Sequence, residues 1–279
     1  MPQFKRLNKL KFTLLMPIVI CFSLTAKAQH PPVFEGMTTD TTYIVLNDLK
    51  INLVKYSYLE PTINFLTIHD NEDTGVKAAF EYIRFSGGTI VDCQYGNGRN
   101  YKFNYNGLSY QTDPNSIYTP EGIPIGLEKY NNVDSEVIKQ LEQASKTILN
   151  VYSAKPPEYI FTLHNNADGG FGITSYLEGY ELENTTDSLH INFSMDPDDM
   201  VLVTDLKLFN NLKKQDVNVV LQAKDAADDG SLSIYAMKND IPYINVEVQH
   251  GHQHEHLRLI EMGIKALRES YPERVYKKK

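Results

Sequence analysis

His69 and Glu72 sit three residues apart in TINFLTIHDNE, directly after the apolar run Ile63, Phe65, Leu66 and Ile68. An imidazole and a carboxylate at that spacing are two zinc ligand types, each binding at roughly 2.0–2.2 Å. His164 ends a second apolar run in YIFTLHNN, and Glu247 sits near the end of a third, YINVEVQ. Three protein ligands with one position left for water is the usual catalytic zinc arrangement, and His₂Glu is one such set. His69, Glu72 and His164 are therefore the expected ligands of one zinc ion per chain. Glu247 is left as the expected general base toward the activated water. It alternates with Val246 and Val248, so in a strand it points to the opposite face from them.

The elements that must position these residues follow from pattern. Thr62–Ile68 reads as a buried strand. A helix capped by Asp73 or Thr74 runs to about Phe85, with Val76, Ala79, Phe80 and Ile83 at helical spacing. Thr89–Gln94 is the next strand, so strand–helix–strand predicts a parallel pair. Tyr43–Leu46 and Ile51–Val54 read as a short hairpin. Residues 95–119, rich in Asn, Gly and Tyr, read as an irregular loop with a small hairpin, of a length that often serves function. Asp134 caps a helix with Ile138, Leu141, Ala144, Ile148 and Val151 as its apolar stripe. Tyr159–Leu163, Val217–Gln222 and Tyr243–Val248 read as strands, and Asp198–Lys214 and Gln253–Ser270 as helices. Residues 30–41, polar with Pro31-Pro32, read as a lead-in. The site residues thus fall at strand ends, where α/β sheets place their chemistry.

The chain begins with a basic segment (Lys5, Arg6, Lys9, Lys11), an apolar stretch Phe12–Leu24 and the small-x-small site Ala26-Lys27-Ala28. This pattern predicts a signal peptide over residues 1–28, a single catalytic domain over 29–279, and a periplasmic or secreted protein without a stable membrane anchor. Removing the five cations of that segment, which holds no acid, takes the net charge from −8 to −13. Such acidity excludes a nucleic-acid partner as the expectation. Of the two cysteines only Cys93 lies beyond the segment, so no intrachain disulfide is expected.

HDNE, FTLHNN and YINVEVQ, in that order, resemble the zinc carboxypeptidase family and its relatives, the aspartoacylase and succinylglutamate desuccinylase deacylases. Gaps of 91 residues from Glu72 to His164 and 82 from His164 to Glu247 suit the shorter members. The resemblance implies an α/β fold: a mixed, mostly parallel sheet with helices on both faces and the metal at its carboxyl edge. It implies hydrolysis of an amide bond in a small peptide, cell-wall peptide or N-acyl amino acid. It assigns Arg99 to the oxyanion or substrate, and Asn115 and Tyr235 to substrate, with Tyr176, Tyr180 and Tyr243 competing for the tyrosine position. The family's Asn-Arg pair is Asn115-Ser116 here. A serine cannot clamp a carboxylate bidentately, so a carboxypeptidase specificity does not carry over.

His250, His252, His254 and His256 form a further cluster. It reads as a solvated strand-to-helix turn, with a secondary metal site or a pH-sensitive rim as alternatives. The competing functional classes are an exported non-catalytic metal-binding protein and an exported peptide- or glycan-binding protein.

Overall fold

A computed structural model describes residues 30–130, 132–153 and 156–275; the signal-peptide expectation over residues 1–28 falls outside them. The elements in chain order begin with β1 (Thr38–Leu46), β2 (Leu49–Tyr58), β3 (Asn64–Thr67), α1 (Asp73–Ser86) and β4 (Gly88–Gln94). The hairpin β5 (Tyr101–Tyr105) and β6 (Leu108–Thr112) follows, then α2 (Gly122–Glu128), α3 (Ser135–Tyr152), β7 (Ile160–Asn166), β8 (Thr186–His190) and β9 (Met200–Val203). The chain continues through α4 (Leu206–Lys214), β10 (Val219–Gln222), α5 (Leu232–Lys238), β11 (Tyr243–Gln249), α6 (Gln253–Ser270) and α7 (Pro272–Val275).

Nine strands form one sheet in the order β1-β2-β4-β3-β7-β11-β9-β10-β8. The expected mixed sheet is present. Its centre, β4-β3-β7-β11, is parallel; β9 pairs antiparallel with β11 and parallel with β10, and β1, β2 and β8 pair antiparallel at the margins. Two apolar layers flank it. One, under α1, α4 and α6, takes Val76, Ala79 and Ile83 with Phe161, Val246 and Val248. The other, under α3 and the β5–β6 hairpin, takes Leu141, Ala144 and Ile148 with Leu66, Val91 and Tyr243. Each fully buried aliphatic or aromatic side chain contributes about 1.5–3 kcal/mol. The alternation of β11 between these layers is what turns Glu247 away from Val246 and Val248.

Several expectations change. Residues 198–214 are not one helix. Met200, Val201 and Val203 are wholly buried in β9, wedged between β11 and β10. Helix α4 starts only after Asp205, whose carboxylate accepts from the N–H groups of Lys207 and Leu208. A four-residue apolar run of this kind suits either state, and pairing on both edges decides for strand. The first hairpin is longer than its apolar centre, because β1 and β2 pair from Thr38–Ser57 to Leu46–Leu49. Strand β8 carried too little apolar pattern to be read. Asp134 caps α3 as expected, accepting from Glu136 and Val137.

Strand β3 meets β7 at one pair only, Leu66 with Thr162, and ends at Thr67, while β7 runs on to Asn166. The two strands part there, and the opening lies at the carboxyl ends of the parallel strands. Among the described residues no helix is long and apolar enough to cross a membrane.

Candidate metal centre

The segment leaving β3 turns at once. The Glu72 N–H donates to the His69 carbonyl at 3.3 Å, closing a tight turn that brings the two side chains together. Glu72 stands at the N-cap position of α1, where the helix dipole favours an anion. Gly75 lets that first turn approach β7, since a Cβ there would lie 3.0 Å from Leu163 and from His256. Asn165 ties the three elements together. Its oxygen accepts the Gly75 N–H at 3.2 Å and its nitrogen donates to the Val248 carbonyl at 3.1 Å.

His164, on β7, then faces the turn. Its Nδ1 lies 3.0 Å from Glu72 Oε2 and 3.1 Å from His69 Nδ1, and His69 Nδ1 lies 3.0 Å from Glu72 Oε1. All three residues are buried, at 2–3 % exposure. Ligand atoms around a tetrahedral zinc with bonds near 2.0–2.1 Å stand roughly 3.3 Å apart. The observed separations are close to that. Glu72 Oε2 is buried and has no hydrogen bond, which is the state of a lone pair waiting for a cation. The residues therefore fit a divalent metal, and His₂Glu is a donor set suited to zinc.

Asp113, inside the loop expected over residues 95–119, completes the cluster. It caps a single 3-10 turn after β6, and its Oδ1 lies 2.8 Å from His69 Nε2. A histidine that donates Nε2–H to a carboxylate presents Nδ1 as a lone pair, so Asp113 selects the ligating tautomer. The charges answer one another. Burial opposes protonation of His69, but Glu72 and Asp113 outweigh it and raise its pKa to about 9. Burial likewise opposes ionisation of Asp113, and the bond to His69 overrides it, taking that carboxyl down to about 2. Glu72, buried between two imidazoles, is held well below the usual carboxylate range by His69 and His164.

Glu247 lies directly opposite His164 in the β7–β11 register. It is 9 % exposed and accepts from Asn245 Nδ2 at 3.0 Å. Burial raises its pKa, and His164 pulls it partly back. Arg99, half exposed, donates from Nη1 to Glu72 Oε1 at 2.7 Å and lies 3.7 Å from Asp113. A cavity of about 730 Å³ opens over the group, lined by His69, Glu72, His164, Glu247, Arg99, Asp113 and Asn115, with Asn71, Asn166, Phe171 and His250 around them.

The remaining expected residues divide. Asn115 lines the cavity, its oxygen taken by the Leu232 N–H at 3.0 Å. Tyr235, on α5, does not line it; Tyr176 and Tyr243 instead lie where, after burial, the Glu247 charge further raises their hydroxyl pKa values. Ser116 is also absent from the lining. It is buried against Gly126 and Gly230, where a Cβ would come within 2.8 and 2.5 Å of it. The four clustered histidines separate. His250 reaches the cavity, and His252 precedes α6 and pairs with Asp199 at 3.1 Å. His256 is fully buried, contrary to a solvated turn, and burial drops its pKa to about 3. His252 does converge with Asp196 and Asp199 in a second metal-capable group.

No protein-family model matches the chain, and no curated protein does. Several solved structures resemble it, among them these three. An aspartoacylase family protein from Mesorhizobium loti is 13% identical with a TM-score of 0.41, the match covering 83% of this chain and 67% of that one. A succinylglutamate desuccinylase/aspartoacylase from Rhodobacter sphaeroides is 11% identical with a TM-score of 0.40, covering 84% and 65%. A murein-tripeptide amidase from Escherichia coli O157 is 12% identical with a TM-score of 0.37, covering 86% and 93%. The chain thus spans about two thirds of the length of the first two. At these identities and scores the chemistry has to be read from the chain's own residues.

Proposed function

We propose that the protein is an exported zinc-dependent hydrolase that cleaves an amide bond in a small peptide, a cell-wall peptide or an N-acyl amino acid. The observation that carries this reading is the convergence of His69, Glu72 and His164 at 3.0–3.1 Å with Glu247 beside them in one cavity. His69, Glu72 and His164 would hold one zinc ion per chain. Zinc, when bound, supplies Lewis acidity that polarises a carbonyl oxygen and acidifies water.

The chain's own groups do the rest. Glu247 accepts the proton of the attacking water and returns it to the leaving amine. Its burial-raised pKa suits both steps, because a base whose pKa is nearer neutrality also gives the proton back. Arg99 contributes positive charge against the negative charge developing on the carbonyl oxygen. Asn115 offers an amide nitrogen to the substrate. Ser116, packed away from the cavity, makes no clamp for a terminal carboxylate, so amides without a free carboxylate are included among the substrates. Export rests on the segment from Lys5 to Ala28.

The test is Glu247→Gln against a panel of peptide and N-acyl amino acid amides. Removing a general acid–base group typically costs about 10²–10⁴-fold in rate. The variant is expected to keep its zinc and lose turnover by that order. Full turnover in the variant would remove Glu247 from the reaction, and no turnover of any amide by the zinc-loaded wild type would refute the hydrolase reading.

A further inference from the structure

The turn that carries His69 and Glu72 has a second face. Asp70, Asp73 and Asp92 converge behind it, only 2, 5 and 1 % exposed. Asp92 on β4 accepts from Thr67 Oγ1 at 2.7 Å and from Gln94 Nε2 at 2.8 Å. Asp70 Oδ2 accepts the backbone N–H groups of Tyr95 at 2.5 Å and Asn97 at 2.6 Å. These bonds leave Asp70 Oδ1 and Asp73 Oδ1 in the interior with no hydrogen bond. His30 sits among the three carboxylates. Its Nε2 is 3.2 Å from Asp70 Oδ1, and its Nδ1 is 3.1 Å from Asp92 Oδ2 and 3.8 Å from Asp73 Oδ1. Among the described residues no lysine or arginine forms an ion pair with any of the three.

We infer that Asp70, Asp73 and Asp92 form a built cation socket, that the His30 imidazolium is its occupant, and that the N-terminal segment thereby holds the metal-binding turn in its ligating shape. The chemistry is that of a buried anion cluster. Desolvated carboxylates repel one another and are retained only beside a positive charge. Asp70 and Asp92, at 3.2 and 3.1 Å from its ring nitrogens, hold His30 protonated far above the ordinary imidazole range, at about 10. Asp70 transmits the effect. It adjoins His69 in the chain, and its other oxygen fixes the loop that presents Arg99. The Tyr95 hydroxyl, which accepts the Asp70 N–H at 3.2 Å, reaches the Arg99 carbonyl at 2.9 Å. His30 is thus a positioning residue, acting on the zinc site through Asp70.

The experiment uses the full chain in wild-type, His30→Ala and His30→Ala/Asp92→Asn forms. Two quantities are measured: the thermal midpoint of the metal-free protein, with and without added imidazole, and the zinc dissociation constant by chelator competition. His30→Ala is expected to lower the metal-free midpoint by roughly 5–10 °C and to weaken zinc by roughly 10–100-fold, as loss of an outer-shell partner does. Imidazole at a concentration that leaves the wild type unchanged, with sodium chloride as the ionic control, restores the midpoint of His30→Ala. Asp92→Asn, by removing one of the uncompensated charges, recovers part of both losses. An unchanged midpoint and zinc affinity in His30→Ala would overturn the proposal. So would a loss that neither imidazole nor Asp92→Asn repairs, since His30 would then be a neutral filler. The midpoint arm needs no zinc, so a chain that binds no metal at all would defeat the proposed function and leave the socket decided on its own.

Discussion

Two histidine–carboxylate clusters lie back to back on one short segment, residues 67–73. On one face His69 and His164 close around Glu72; on the other Asp70, Asp73 and Asp92 close around His30. Their residue types are the same, but their balance is opposite. The aspartate cluster has an excess of carboxylates, and its own chain supplies the cation. The imidazole cluster turns two ring nitrogens and a carboxylate inward at 3.0–3.1 Å, with Glu72 Oε2 unbonded. Its own chain supplies Arg99 to Glu72 Oε1 at 2.7 Å and leaves Oε2 to the expected metal. Two ring nitrogens beside an unbonded carboxylate oxygen suit a metal ion, whereas three carboxylates around one ring suit its imidazolium. Burial alone distinguishes neither.

The contrast can be attacked from the largest effect down. Glu72→Gln removes the only carboxylate among the metal-holding atoms, and zinc uptake at equimolar protein should be lost, as read by metal analysis after gel filtration. Retained equimolar zinc would show that the two imidazoles suffice. Asp113→Asn keeps every ligand and spoils only the tautomer control on His69. Zinc affinity should fall by about 10–100-fold in a chelator competition, and an unchanged constant would reduce Asp113 to a turn residue.

The smallest effect belongs to the aspartate face and depends on pH. The His30 pKa is raised from 6.5 to about 10 on folding. A raised pKa means that the folded state binds the proton more tightly, so the stabilisation is fully present below 6.5 and fades as pH rises through 10. The difference in metal-free midpoint between wild type and His30→Ala should therefore be greatest below pH 6.5 and shrink between 6.5 and 10. A difference that stays flat across that window would contradict a charged His30.

The imidazole face was legible in sequence because His69 and His164 each follow an apolar strand run, strand ends in a parallel sheet come together, and Glu72 stands one short turn after His69. Glu247 was legible because alternation fixes its face. Asp113 was not, since its role depends on the β5–β6 hairpin folding back over the sheet edge, a distance that local pattern does not encode. Tyr235 was carried by order along the chain, whereas which tyrosine approaches Glu247 depends on how the loops pack. His30 was lost in a polar lead-in, because the carboxylates that bind it come from two other places in the chain, the turn leading into α1 and strand β4. Met200–Val203 was absorbed into a helix for a similar reason: its strand state is conferred by neighbours on both sides.

The central claim is one metal ion, held by His69, Glu72 and His164. Its most direct test is a zinc titration of the chelator-stripped full chain, in wild type, His164→Ala and His252→Ala, the last removing the histidine that converges with Asp196 and Asp199. The account predicts one tightly bound zinc in the wild type and in His252→Ala, and none in His164→Ala. One tight zinc that survives in His164→Ala and disappears in His252→Ala would contradict it, moving the metal to the group of Asp196, Asp199 and His252.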